Sequence, residues 1–195
     1  MLLERLIIMA ATANTAVSLS ESYYLRRFYK SNRDATTDSK RKEMTSGKLS
    51  QADAEALRAA VRGLRNFNLE DDTDDGADIY ASVSAFLKTY NNALESSGSS
   101  GDYALQRYAK QLKNLAKEHA DALEDIGVTV KSDGTLEKND NLLKSADVAD
   151  IKKLFGEDAL FATKSANYAK RMNAKAADLI YTELTQKGQN INLTL

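Results

Sequence analysis

Five aspartates and a glutamate crowd the stretch from Glu70 to Asp78 around Gly76, and oxygen ligands at that density raise the question of calcium. An EF-hand loop opening at Asp71 would bring Asp75 and Gly76 to its fifth and sixth positions. It would also place Thr73 at the third and Ser82 at the closing position, where a serine cannot supply the bidentate carboxylate. The run therefore reads as a solvated linker whose acids precede a helix and favour its positive N-terminal end. His119 is the only histidine and has no second ligand at metal spacing, so it reads as a half-buried packing residue rather than a ligand or general base. The acid pairs Glu118 with Asp121 and Glu124 with Asp125 fall on helix faces expected to be exposed; two carboxylates act as acid and base only within a shared cleft. A phosphate loop, a dinucleotide fingerprint, paired histidines and a nucleophile elbow are all missing. The expectation is a protein with no catalytic, cofactor-binding or metal-ligating residues. An enzyme assembled from residues distant in sequence is the remaining chemical alternative.

Composition narrows the class. A chain of 195 residues, 43% of them apolar, can bury one good core or two small ones, and a single domain is the expectation. With 27 basic and 28 acidic side chains it has a net charge of −1, so no global field draws it to nucleic acid, and a protein is the expected partner. Proline is absent, which favours long uninterrupted helices, and the absence of cysteine excludes disulfides and thiolate chemistry. No segment approaches the ~20 apolar residues needed to cross a bilayer, so no membrane insertion is expected. The apolar run from Leu6 to Met9 and the Ala11-Thr12-Ala13 triplet resemble a secretory signal. Glu4 offsets Arg5, however, and the apolar spacing continues through Val17, Tyr24 and Phe28, which argues for a helix instead.

Leu3, Ile7, Ala10, Asn14, Val17, Glu21, Tyr24 and Phe28 alternate steps of four and three, the spacing of a coiled-coil seam, and predict an N-terminal helix over 1–30. Residues 31–49 are almost entirely polar and are expected to form a mobile connection, with a solvated extension of the first helix as the alternative. A helical bundle is expected over 50–187. Ser50 with Asp53 looks like a capping box for a helix over about 51–67 carrying Leu57, Val61 and Leu64. Ile79, Val83, Phe86, Tyr90 and Ala93 mark the next helix, closed by the Gly/Ser-rich stretch 96–101. The reverse helix carries Leu105, Tyr108, Leu112, Leu115, His119, Ala122 and Ile126 and stops at Gly127. Together they predict an antiparallel helical hairpin.

Val128-Thr129-Val130, Ser132-Asp133-Gly134 and Thr135-Leu136 predict a small β-hairpin at about 128–138, because Asp-Gly readily adopts positive φ. Asp140 and Asp147 are candidate caps for two short helices, the second ending at Leu154-Phe155 before Gly156. A long last helix presents Phe161, Ala162, Ala166, Ala169, Met172, Ala176, Leu179, Ile180 and Leu184 as one stripe, either core or partner surface, and residues 188–195 form a tail. The fold class is thus all-α, an elongated antiparallel bundle or coiled coil with one β-hairpin.

Four motifs in order, F-L-K-T-Y-N at Phe86–Asn91, L-E-D-I-G at Leu123–Gly127, D-G-T-L at Asp133–Leu136, and Asp140 followed by Leu154-Phe155, give the segment from Ile79 to Phe161 its character. In these residues the chain resembles the C-terminal region of the flagellar filament-cap family, hook-associated protein two. The resemblance implies a structural protein exported through the flagellar channel without a cleaved signal, acting extracellularly as a homo-oligomer that guides flagellin. It also implies that the chain ends pair as helical legs, making Leu3, Ile7, Val17, Tyr24, Phe28, Met172, Leu179, Ile180 and Leu184 the candidate partner-binding residues. The large β-rich domains usual before this segment are missing, so a shortened cap or cap-like subunit is expected. The alternative is a cytoplasmic helical adaptor or export chaperone whose stripes form only its own core.

Overall fold

The computed structural model describes residues 21–66 and 75–189, with side chains over 21–66 and 78–186. Its frame is four long helices: α3 (Ser46–Arg65), α4 (Asp75–Gly98), α5 (Tyr103–Glu118) and α9 (Leu160–Gln189). Each runs opposite to its two neighbours. Gly47 at the start of α3 lies against Ile180 near the end of α9, while Arg65 donates to Thr163 at the other end of the same pair. Asp102 meets Lys175 at 3.3 Å and Glu118 meets Lys164 at 3.9 Å, which fixes α5 against α9 in the same sense. Short connections between amphipathic helices favour this up-and-down arrangement.

The chain enters through a helical segment over 21–28, here α1, then a 3₁₀ turn Arg33–Thr36 and α2 (Asp38–Glu43). The mobile connection expected at 31–49 is therefore corrected: Ala35 is fully buried, and Arg41 reaches both its carbonyl and the carboxylate of Asp53. A polar run is ordered here because one of its charges finds a buried partner that sequence periodicity does not reveal. The bundle boundary moves with it. Thr45, not Ser50, caps α3 by accepting from the Lys48 N–H, and Ser50 is instead buried, donating to the Ser96 carbonyl at 3.0 Å.

Small side chains line the long seams. Ala52, Ala56 and Ala60 of α3, Ala81, Ser82, Ala85 and Ala93 of α4, and Ala162, Ser165, Ala169 and Ala176 of α9 are all fully or almost fully buried, and such residues let backbones approach closely. Bulk is concentrated where the bundle meets α8 (Val148–Phe155). There the Phe86 and Phe155 rings lie edge to face at 4.9 Å between centroids, with Phe161 5.9 Å from Phe155 and His119 5.5 Å from Phe161. His119 is half-buried on that cluster, as expected of a packing residue, and also breaks the predicted continuous helix: α5 ends before it and α6 (Ala120–Asp125) begins after it.

Gly127 closes α6 with φ 75°, and a Cβ there would lie 2.5 Å from that of Leu142, so glycine is required. The hairpin follows as anticipated: β1 (Val128–Val130) pairs antiparallel with β2 (Leu136–Lys138) in the register Val130↔Leu136, and Gly134 turns at φ 89°. Two strands alone are marginal. Val128 and Leu136 therefore bury one face, while the Asn91 carboxamide on α4 accepts from the Leu136 N–H and donates to its carbonyl, both at 2.8 Å. Tyr90 donates to the Leu112 carbonyl and, at 3.3 Å, to that of Gly134, binding the turn to α4 and α5. Asn139 rather than Asp140 caps α7 (Asp140–Lys144), and Asp147 caps α8.

Candidate functional site

Among the described residues, charged and polar side chains form two hydrogen-bonded clusters that involve the segment before α3. In the first, the Asp53 carboxylate is fully buried on the inner face of α3. Its Oδ1 accepts from an Arg41 guanidinium N–H at 2.7 Å and from the Tyr29 hydroxyl at 2.7 Å, and its Oδ2 accepts from Arg41 at 3.0 Å. Asn92 on α4 donates to the Tyr29 oxygen at 2.8 Å. Burial, and then the neighbouring Asp53 charge, hold the Tyr29 phenol well above its ordinary pKa, so it stays a donor. Burial works against the charge on Arg41, but the bonds and charge of Asp53 outweigh it and keep the guanidinium protonated. A cleft of about 350 Å³ opens beside this cluster, lined in part by Lys42, Lys88, Asn92 and Glu95. The carboxylate does not face it with a free oxygen: both are taken by Arg41 and Tyr29. As arranged, the cluster ties four segments together.

In the second place, Lys138 of β2 donates to Glu21 at 3.0 Å, to the Tyr80 hydroxyl at 3.2 Å and to Ser84 at 3.1 Å, and pairs with Asp140 at 3.3 Å. Its side chain is about a quarter exposed, 27%. Tyr80 in turn donates to Asp140 at 2.9 Å, and that bond, followed by the Lys138 charge, lowers the pKa of the Asp140 carboxyl against the opposing effect of burial. This cluster pins Glu21 of α1 to the hairpin.

The two clusters bear on the residues expected to meet a partner. Tyr24, Phe28 and Met172 are buried in the chain's own core, so as folded they are corrected from surface to interior; Phe28, for instance, packs its ring against Gly63 of α3. At these three positions the apolar spacing is satisfied within the chain's own core. Leu179 and Ile180 are half-buried, the latter against Gly47. Leu184 is 62% exposed and Tyr181, which the stripe omitted, is 71% exposed. Ala176 is the last buried residue of α9 among the described side chains; beyond it Leu179 and Ile180 still rest partly on the bundle, while Tyr181 and Leu184 share the face turned to solvent. Leu3, Ile7 and Val17, the acidic run up to Asp74 and the tail from Asn190 lie outside the described residues. Sequence reasoning missed Tyr29, Arg41, Asn92 and Lys138 because each is polar and gains its partner from a distant segment. Tyr181 alone carried a local signal, its spacing of three from Leu184.

The acid pairs Glu118 with Asp121 and Glu124 with Asp125 are exposed. Among the described residues no group of three or more His, Asp or Glu side chains is placed to hold a metal ion, and no helix is long and apolar enough to cross a membrane. The fold and its clusters define a mostly α-helical bundle with a small antiparallel β-hairpin, in which polar chemistry fastens segments together. Comparison of the chain with protein-family models, with curated proteins and with solved structures gave no match.

Proposed function

We propose that the chain is a structural assembly protein of the flagellar filament-cap kind, meeting neighbouring subunits through the uncovered end of α9. The observation that carries this reading is the pairing of Tyr181 with Leu184, two large apolar side chains exposed on the same helix face beyond the last buried turn. The resemblance gains support from where its motifs lie in space. Tyr90 and Asn91 bond to Gly134 and Leu136, and the Phe86 ring meets Phe155 edge to face, so motifs far apart in sequence form one folded unit. On this reading the protein acts outside the cell, with further copies of itself and flagellin or another axial subunit as partners.

A second reading, a cytoplasmic helical adaptor or export chaperone, is favoured by one observation: Tyr24, Phe28 and Met172 serve the chain's own core. Sedimentation velocity of the full chain, alone and mixed with flagellin monomers, separates the two. The cap reading expects association in at least one of these samples, weakened about tenfold or more by Tyr181→Ser with Leu184→Ser at an unchanged unfolding midpoint. A single monomer boundary in both samples over the accessible concentration range would overturn it.

A further inference from the structure

A cleft of about 320 Å³ separates α1 from α3, and its walls are cationic on both sides. Arg27 and Lys30 come from α1 and its following turn, Arg58 and Arg62 from α3, and Glu55 is the one acid among the lining residues. The spacing of four puts Arg58 and Arg62 on a common face of α3, where Cβ atoms one turn apart lie about 5–6 Å from each other. Arg27, Lys30 and Arg62 are exposed and Arg58 is half-buried; none of the four is in an ion pair with another described residue. That isolation sets them apart from Arg41 and Lys138, whose charges are spent on holding the fold. Four like charges with only Glu55 among them repel one another, and an anion bound between them would relieve that repulsion.

The geometry points to this cleft as a docking site for an acidic segment of a partner protein, its Asp or Glu carboxylates spanning from Arg27 and Lys30 to Arg58 and Arg62. The form of the cleft decides the class of anion. A single phosphate is best held by convergent backbone N–H groups or a helix N-terminus, whereas here the donors are long side chains set in two rows along a shallow trough. Paired rows suit charges repeated along an extended chain, and arginine forks suit carboxylates. Phe28 and Ala59 supply an apolar floor for the stems of such side chains. Phe28, the one aromatic lining residue, is 5% exposed and offers no open face for base stacking, which favours a protein segment over an oligonucleotide. The site is separate from the end of α9 and does not depend on the assembly reading.

The test is fluorescence anisotropy with a labelled hexaglutamate peptide against the full chain, with inorganic phosphate and a short single-stranded oligonucleotide of equal charge as competitors. Binding is expected at low ionic strength, weakening as salt rises. Arg58→Glu with Arg62→Glu is expected to lower affinity about tenfold or more, while Tyr181→Ser with Leu184→Ser leaves it unchanged. Arg27→Glu with Lys30→Glu, at positions exposed to solvent, gives an independent reading should the α3 variant fail to fold. No binding, or binding indifferent to both charge reversals, overturns the site. Tighter binding of the oligonucleotide or of phosphate overturns the ligand class. Peptide binding that appears only after Glu70, Asp71, Asp72 and Asp74 are neutralised shows that the chain's own acidic run competes for the cleft, and overturns the intermolecular form.

Discussion

Asp53 and Lys138 perform the same task, fastening the entering segment to the bundle, under opposite access to water. Asp53 is sealed at 0% side-chain exposure beside an Arg41 at 12%, whereas Lys138 and Glu21 keep 27% and 28%. A buried pair offsets a large desolvation cost only when its hydrogen bonds are complete, and Asp53 has three donors on two oxygens. Burial works against the Lys138 charge too, but less completely than at Asp53, so this pair has less to offset and less to lose. Similar bonds drawn on the structure therefore carry unequal weight, and burial rather than bond length sets the difference.

The sharpest way to break this comparison is Asp53→Ala. It leaves the Arg41 guanidinium buried without its counter-charge and is expected to cost about 3–5 kcal/mol in urea unfolding. Replacing the pair together, Asp53→Leu with Arg41→Met, is expected to cost much less than either single change, since no orphaned charge remains. A single change costing under ~1 kcal/mol would place Asp53 in the same class as Lys138. Next in size, Lys138→Met is expected to cost about 1 kcal/mol, and part of that cost should vanish as salt is raised; the Asp53 contribution should barely respond. The smallest effect concerns acid. Asp140 has a lowered pKa in the folded state, so its contribution is fully present above the unfolded value of about 3.9 and is lost as pH falls through the folded value. Denaturation midpoints followed downward from about pH 5 should therefore fall less steeply for Asp140→Asn than for the parent chain.

How much of this was legible in the sequence depends on how far each residue's partner lies along the chain. The α4–α5 hairpin, the Gly127 stop, the Asp133-Gly134 turn and the Asp147 cap were readable because their determinants sit within a few residues of one another. Residues 31–49 were not, since the order of that run rests on Arg41 meeting Asp53 and on Ala35 filling a pocket, and neither is periodic. The break at His119 was hidden because the three-four spacing continues across it. The seam through Tyr24, Phe28 and Met172 was correctly read as apolar, yet periodicity records that a face must be covered without recording by what. The rows of Arg27, Lys30, Arg58 and Arg62 join only when α1 settles on α3, and a linear charge count cancels them against acids elsewhere.

The alanine- and serine-lined seams between α3, α4 and α9 have a consequence for the entropy of folding. Ala52, Ala56, Ala60, Ala162, Ala169 and Ala176 surrender no rotamer freedom when they are buried, whereas a Leu or Ile in the same place would lose about 0.5–1 kcal/mol. These helices can thus lock together at little side-chain cost, but with almost no slack: a single added methyl has no torsion through which to move aside. Tolerance of substitution should therefore be lowest where the side chains are smallest, a reversal of the usual expectation that large core residues are the most constrained.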